Sequence, residues 1–180
     1  MTRSVALALG SNLGDRVANL GEAMRRLFDG PYLTFVAASS IYETPPWGVT
    51  NQPAFANAAV LATTPLGPHA LLARVKSVEG VMGRTPAERW GPRLIDIDLI
   101  DIAGVALAAP MLTLPHPRLF DRAFVLVPLA EIAPDRIIAG HRVADVARGL
   151  IAGPVIAPPW TPGRLPPPAP VPNIVLPTTD

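Results

Sequence analysis

In the stretch RWGPRLIDIDLI, residues 89–100, Asp96 and Asp98 interrupt an aliphatic run of Ile95, Ile97, Leu99 and Ile100. Burying carboxylates costs far more than burying aliphatic groups unless something cationic meets them. On a β-strand alternate residues share a face, so Asp96 and Asp98 point the same way, their bases roughly 6–7 Å apart. Two carboxylates so placed can hold divalent ions at the roughly 4 Å separation used in two-metal phosphate chemistry. Hard oxygen donors in a chain without cysteine favour magnesium over zinc. For a bare acidic pair on an amphipathic strand, simple exposure to solvent is the plainer reading.

The flanking residues shift that balance. Arg84, Arg89 and Arg93 lie around Gly83, Gly91 and Pro92, which suggests a mobile basic loop running into the acidic strand. Ions held on carboxylates on one side and guanidinium groups on the other suit a polyphosphate. Ordinary surface Arg–Asp pairs are the alternative, and they add little to stability. His116, between two prolines in LPHPRLFDRAF and followed by Arg118 and Arg122, fits a phosphate contact better than a metal ligand. No G-x-x-x-x-G-K-[ST] loop occurs, and ALGSNLGD lacks both lysine and a GxGxxG pattern, so it closes a strand rather than cradling phosphate.

These residues need elements to position them. Val5–Leu9 reads as a buried first strand, and Asn12 or Asp15 can cap a helix running to about Phe28 with Val17, Leu20, Met24 and Leu27 inward. Leu33–Tyr42 and Phe55–Thr63 read as strands, joined by the proline-rich TPPWGVTNQP. A second helix is expected from about Pro68 to Met82, buried through Leu71, Leu72, Val75, Val78 and Val81 or Met82, with Gly83 at its C-terminal cap. Leu94–Ile102 follows, Val105–Leu112 is expected to pair back beside it, and a third helix spans Phe124–Ile132. The order β-α-β-β-α-β is the ferredoxin-like arrangement, an α+β fold with helices on one face of an antiparallel sheet and C-terminal additions.

The 180 residues suit one domain, 49% hydrophobic and 16% charged, and the net charge of +1 gives no reason to expect nucleic-acid or membrane-surface binding. The amino-terminal apolar run is too short to span a membrane and lacks a cleavage region, so a cytoplasmic protein is expected. Fourteen of the fifteen basic residues are arginine, which by itself reflects coding bias as readily as phosphate recognition. Ten of the 28 residues from Gly153 onward are proline. The expected division is therefore a domain over 1–152 and an extended or disordered tail over 153–180.

Taken together, ALGSNLGD, SSIYETPPWG, FANAAV, VEGVMGR, RWGPRLIDIDLI and LPHPRLFDRAFVLVPLAEIAPD, in this order over roughly the first 135 residues, resemble the 6-hydroxymethyl-7,8-dihydropterin pyrophosphokinase family of folate biosynthesis. The resemblance implies the ferredoxin-like fold and transfer of pyrophosphate from ATP to the pterin hydroxymethyl group, releasing AMP. It implies two Mg2+ ions on Asp96 and Asp98 and phosphate contacts from Arg84, Arg93, His116 and Arg122. Arg89 and Trp90 would sit on a loop closing over the substrates, with Glu79 in the ATP site and Thr113 at the ribose. For the pterin it implies an aromatic sandwich of Phe55 and Phe124, an edge contact from Asn57, and a surround of Thr44, Pro45, Pro46 and Trp47. From residue type alone Phe55 and Phe124 read as core. A monomer is expected, with ATP and the pterin as its small-molecule partners. Two departures bear on the loop and the ATP contacts: RTPAER is one residue shorter than in some relatives and lacks a second arginine after Arg84, and Trp47 stands where smaller apolar residues are common. Two rivals remain, a non-catalytic ferredoxin-like binding module with a structural ion and another magnesium-dependent nucleotidyl transferase.

Overall fold

A computed structural model describes residues 1–46, 51–83 and 91–160. Its sheet is built from β1 (Arg3–Ser11), β2 (Thr34–Ala38), β3 (Ile41–Thr44), β4 (Phe55–Thr64) and β5 (Asp96–Ile102), with α1 (Arg16–Leu27) and α2 (Pro68–Val81) between them. A hairpin follows, β6 (Leu107–Ala109) and β7 (Leu112–Leu114), then a 3-10 turn at Leu119–Asp121 and α3 (Ala123–Ile132). The chain continues through a second hairpin, β8 (Ile137–Ile138) and β9 (His141–Arg142), to α4 (Val143–Ala147) and β10 (Val155–Ala157). The strands lie in the order β10-β3-β4-β1-β5, with β2 also on β4, and every pairing is antiparallel. This is the ferredoxin-like arrangement.

Both helices of that arrangement form where the periodicity places them. Asp15 caps α1, its carboxylate accepting from the Ala18 N–H at 3.0 Å, and Leu20, Met24 and Leu27 are buried. In α2, Leu71, Val75 and Val78 are buried while Val81 is exposed. Gly83, just past the helix, adopts a φ of +87°, the left-handed turn that favours glycine at this position. Both helices cover the sheet face made by Val5, Leu7 and Leu9 of β1 and Ile97 and Leu99 of β5.

The opposite face is covered too. Leu119, Val125, Leu126 and Leu129 pack over Ala6, Ala59, Leu61 and Ile100, so α3 lies across the sheet from α1 and α2. A strand covered on both faces reads as a continuous apolar run, which is how β4 is written, AVLAT included. Its alanines keep both layers close.

Two expectations change. The single strand expected over Leu33–Tyr42 is broken at Ser39 and Ser40, because the Ser39 hydroxyl bonds to the Ser40 carbonyl at 2.8 Å and accepts from the Ala59 N–H at 2.9 Å. The 105–112 segment does not pair beside β5: residues 107–109 fold back on β7 instead. The outer edge of β5 is engaged by α2, whose Glu79 carboxylate accepts the Ile97 N–H at 2.7 Å. Past the boundary expected at 152 the chain runs extended, as a strand on the sheet. Residues 155–157 extend as β10 against β3, the Pro154 carbonyl accepts from the Glu43 N–H at 2.8 Å, and Trp160 packs on the core. At Gly153, φ +127°, a Cβ would stand 1.9 Å from the Glu43 carbonyl oxygen, so only glycine lets the chain approach β3 here. Residues 161–180 lie outside the described residues.

Candidate active site

The register of the three adjacent strands β4, β1 and β5 assembles a cleft on the α3 face of the sheet. Gly10 lies between Asn57 of β4 and Asp96 of β5, and Ala8 lies between Ala59 and Asp98. Alternation turns Asn57, Gly10, Ala8, Asp96 and Asp98 to one side, where the small residues form a floor between a polar wall and an acidic wall. The cleft, about 640 Å³ including its open mouth, is lined by Thr44, Pro45, Phe55, Asn57, Arg93, Asp96, Asp98, Arg122 and Phe124, with Ala8, Leu9, Gly10, Gly91 and Val125.

On the acidic wall each carboxylate meets an arginine. Arg93 reaches Asp96 at 2.6 Å and Arg122 reaches Asp98 at 2.7 Å. The four side chains keep between 13% and 30% of their exposure, so the pairs stay open to the cleft. That answers the cost of placing Asp96 and Asp98 beside buried isoleucines: cations meet both, and solvent reaches both. The Arg122 guanidinium also lies 5.6 Å from the Phe124 ring centroid, which links the charged wall to the aromatic one.

On the opposite wall the orientation of one amide is fixed. Asn57 donates from Nδ2 to the Thr44 hydroxyl at 2.7 Å, and both residues are buried. Its Oδ1 is left facing Gly10, where a Cβ would come within 2.7 Å of it. The wall therefore presents a carbonyl acceptor beside Phe55, with Phe124 also lining the cleft, suited to a flat ring that carries hydrogen-bond donors on its edge.

His116 lies near Asp98 and Asp96, outside the residues that line the cleft, its backbone N–H donating to the Ile100 carbonyl at 2.8 Å. Burial is the largest influence on the imidazole and holds its pKa below the ordinary value, against the attraction of Asp98. Its Nδ1 accepts the Arg118 N–H at 3.1 Å, so in the neutral ring Nε2 carries the proton and acts as a donor.

Other sequence candidates fall elsewhere. Glu79 is 1% exposed, bound to the Ile97 N–H and 2.9 Å from Lys76, so it supports the acidic strand from behind. Thr113 is exposed on β7 and Pro46 is half-buried beyond the cleft lining. Trp47, Arg84, Arg89 and Trp90 lie outside the described residues. ALGSNLGD does more than close a strand: Gly10 joins Ala8 in the floor, and Asn12 ties the segments on either side of the cleft. Only strand register reveals the first, and only long-range hydrogen bonds reveal the second.

The donor set fits magnesium. Among the described residues no group of three or more His, Cys, Asp or Glu side chains gathers, and the cleft offers two carboxylates. Magnesium is bound in this way, by one or two carboxylates with water and phosphate oxygens completing its shell.

Comparison with known proteins agrees with this geometry. Residues 6–134 match the family model for 7,8-dihydro-6-hydroxymethylpterin-pyrophosphokinase (HPPK). A 2-amino-4-hydroxy-6-hydroxymethyldihydropteridine pyrophosphokinase of Methylorubrum extorquens is 50% identical over 150 residues, covering 83% of this chain and 94% of that one. A mitochondrial folate synthesis bifunctional protein of Pisum sativum is 43% identical, over 82% of this chain but 30% of its own length. The Plasmodium falciparum HPPK-DHPS structure with pteroate shares the fold at a TM-score of 0.65 and 15% identity, over 82% of this chain and 42% of that one. The chain belongs to the 7,8-dihydro-6-hydroxymethylpterin-pyrophosphokinase family, and its activity is that of a pyrophosphokinase, an ATP-dependent diphosphotransferase of folate synthesis.

Proposed function

We propose that this cleft transfers the terminal pyrophosphoryl group of ATP to the hydroxymethyl oxygen of 6-hydroxymethyl-7,8-dihydropterin. The observation that carries this is the pairing, in one cleft, of an Asp/Arg wall with an aromatic wall bearing a fixed amide acceptor. The pterin ring lies against Phe55 and Phe124, and Asn57 Oδ1 accepts from its donor edge. Thr44 and Pro45 close the side. The hydroxyl then points at the acidic wall, where Arg93, Arg122 and the Nε2–H of His116 hold the phosphates.

The new bond joins the pterin oxygen to the β-phosphorus. The bond from that phosphorus to the α,β-bridging oxygen breaks, AMP departs with that oxygen, and the hydroxyl proton is released. Asp96 and Asp98 would hold two Mg2+ ions, which supply charge neutralisation for the phosphates. Arg93 and Arg122 leave their carboxylate partners and turn to the phosphoryl oxygens, so the charge they carry stays at the reacting centre. Positioning and electrostatics carry such a reaction, with no strong base required. On the family resemblance, Arg84 is assigned to a phosphate contact, and Arg89 and Trp90 to closure over the substrates.

Incubation with ATP, magnesium and the hydroxymethyl pterin tests the reading: AMP is the expected product by chromatography, and ADP formation overturns it. The rival readings separate in the same experiment, since a binding module leaves ATP intact and a nucleotidyl transferase releases pyrophosphate. Asp98→Ala is expected to lower turnover by about 10²-fold or more, the scale of loss when reacting groups are misplaced. Pterin binding, read by its fluorescence, should persist in that variant, because the aromatic wall is untouched.

A further inference from the structure

Asn12 lies one residue past the last β1–β4 pair, Ser11 with Ala56, and two past the last β1–β5 pair, Gly10 with Asp96. Neither strand pairing needs it. It is nevertheless 2% exposed, and both ends of its amide are engaged. Oδ1 accepts the Arg93 N–H at 2.7 Å, and its own N–H donates to the Arg93 carbonyl at 3.1 Å. Nδ2 donates to Gln52 Oε1 at 3.0 Å and to the Pro53 carbonyl at 3.2 Å.

One side chain thus joins segments 40 and 81 residues away in the sequence. Each segment feeds a different wall. Residues 52–53 run into Phe55 and Asn57, while Arg93 carries the guanidinium that meets Asp96. A shift of Arg93 toward a bound polyphosphate would pull on the amide, and the amide on the entry to the aromatic wall. The reverse holds for a ring entering the aromatic wall.

We propose that Asn12 is a positioning residue that couples the polyphosphate subsite to the ring subsite by clamping their two rims together. This rests on the functional reading above. Coupling of this kind is reciprocal, and typically changes affinity by about 5–150-fold. The experiment measures the Kd of the hydroxymethyl pterin with and without saturating magnesium and a non-hydrolysable ATP analogue. In the wild-type chain the two values are expected to differ by a factor in that range, and in Asn12→Ala the factor collapses toward one. A thermal melt of each variant establishes that it is folded.

Gln52→Leu, at a partly exposed loop position, removes one of the two acceptors and should reduce the factor partially; it decides the matter if Asn12→Ala does not fold. A role confined to stability predicts a lower melting temperature with the factor unchanged. An undiminished factor in a folded variant, or a wild-type factor of one, overturns the proposal. If the wild-type chain binds neither ligand, or releases ADP when given ATP itself in the turnover assay above, the functional reading fails instead.

Discussion

Asp96 and Asp98 are tolerated in an aliphatic strand because each is partnered by an arginine and each keeps contact with solvent. An isolated buried carboxylate would instead take up a proton or destabilise the fold. Gly10 shows the same economy on the other wall. A methyl group there would meet Asn57 Oδ1 at 2.7 Å, so Gly10→Ala is expected to displace the amide while leaving strand pairing in place. The consequence is a rise of about tenfold in KM for the pterin, the cost of one buried hydrogen bond, with KM for ATP nearly unchanged. Steady-state kinetics varying each substrate in turn reads the difference; equal changes in both constants would contradict it.

Elements hold these residues through bonds that cross between layers. Helix α2 supports β5 through Glu79, whose carboxylate satisfies an N–H on the strand's outer edge between the two aspartates. Glu79→Leu leaves that N–H buried without an acceptor and should cost about 1–3 kcal/mol, whereas Glu79→Gln retains the acceptor and should cost much less. Urea unfolding of the two variants makes the comparison.

Helix α3 is tied to β3 in a similar way: Glu131 accepts from the Ser40 N–H and hydroxyl and from the Tyr42 hydroxyl at 2.8 Å. Burial, then the Glu131 hydrogen bond, pushes the Tyr42 pKa up to about 12 from the usual 10. The folded chain therefore holds this proton where the unfolded chain releases it, so the contribution to stability is present below pH 10 and is lost as pH rises toward 12. Alkaline absorbance titration should show a phenol ionising near pH 12 that is absent in Tyr42→Phe. In Glu131→Gln it should ionise earlier, but not at the usual value, because burial remains the larger cause.

At the scale of the molecule, the sheet is extended on one edge by a segment beyond the family match. β10 pairs with β3, the strand that carries Thr44, and Trp160 packs against the core beneath α1. A chain ending at residue 152 loses both, and should melt roughly 5–10 °C below one ending at 160, given the usual cost of deleting a packed aromatic. Equal melting temperatures would show that the segment contributes nothing to the fold. No helix among the described residues is long and apolar enough to cross a membrane.

Local rules determined much of this protein from its sequence. Helical periodicity placed α1 and α2 and most of their buried residues, Gly83 marked the end of α2, the cap of α1 was narrowed to Asn12 or Asp15, and strand alternation put Asp96 and Asp98 on one side. Each of these depends on residues a few positions apart, where side-chain chemistry and backbone geometry act directly. The motif order pointed to the family, and the family to the activity. What the tertiary structure decided depends on register and distance. The sequence does not state that Gly10 lies between Asn57 and Asp96, that Arg122 turns to Asp98, or that Asn12 reaches both Gln52 and Arg93. Such contacts join residues tens of positions apart, and only the packing of three layers selects them from many equally plausible pairs.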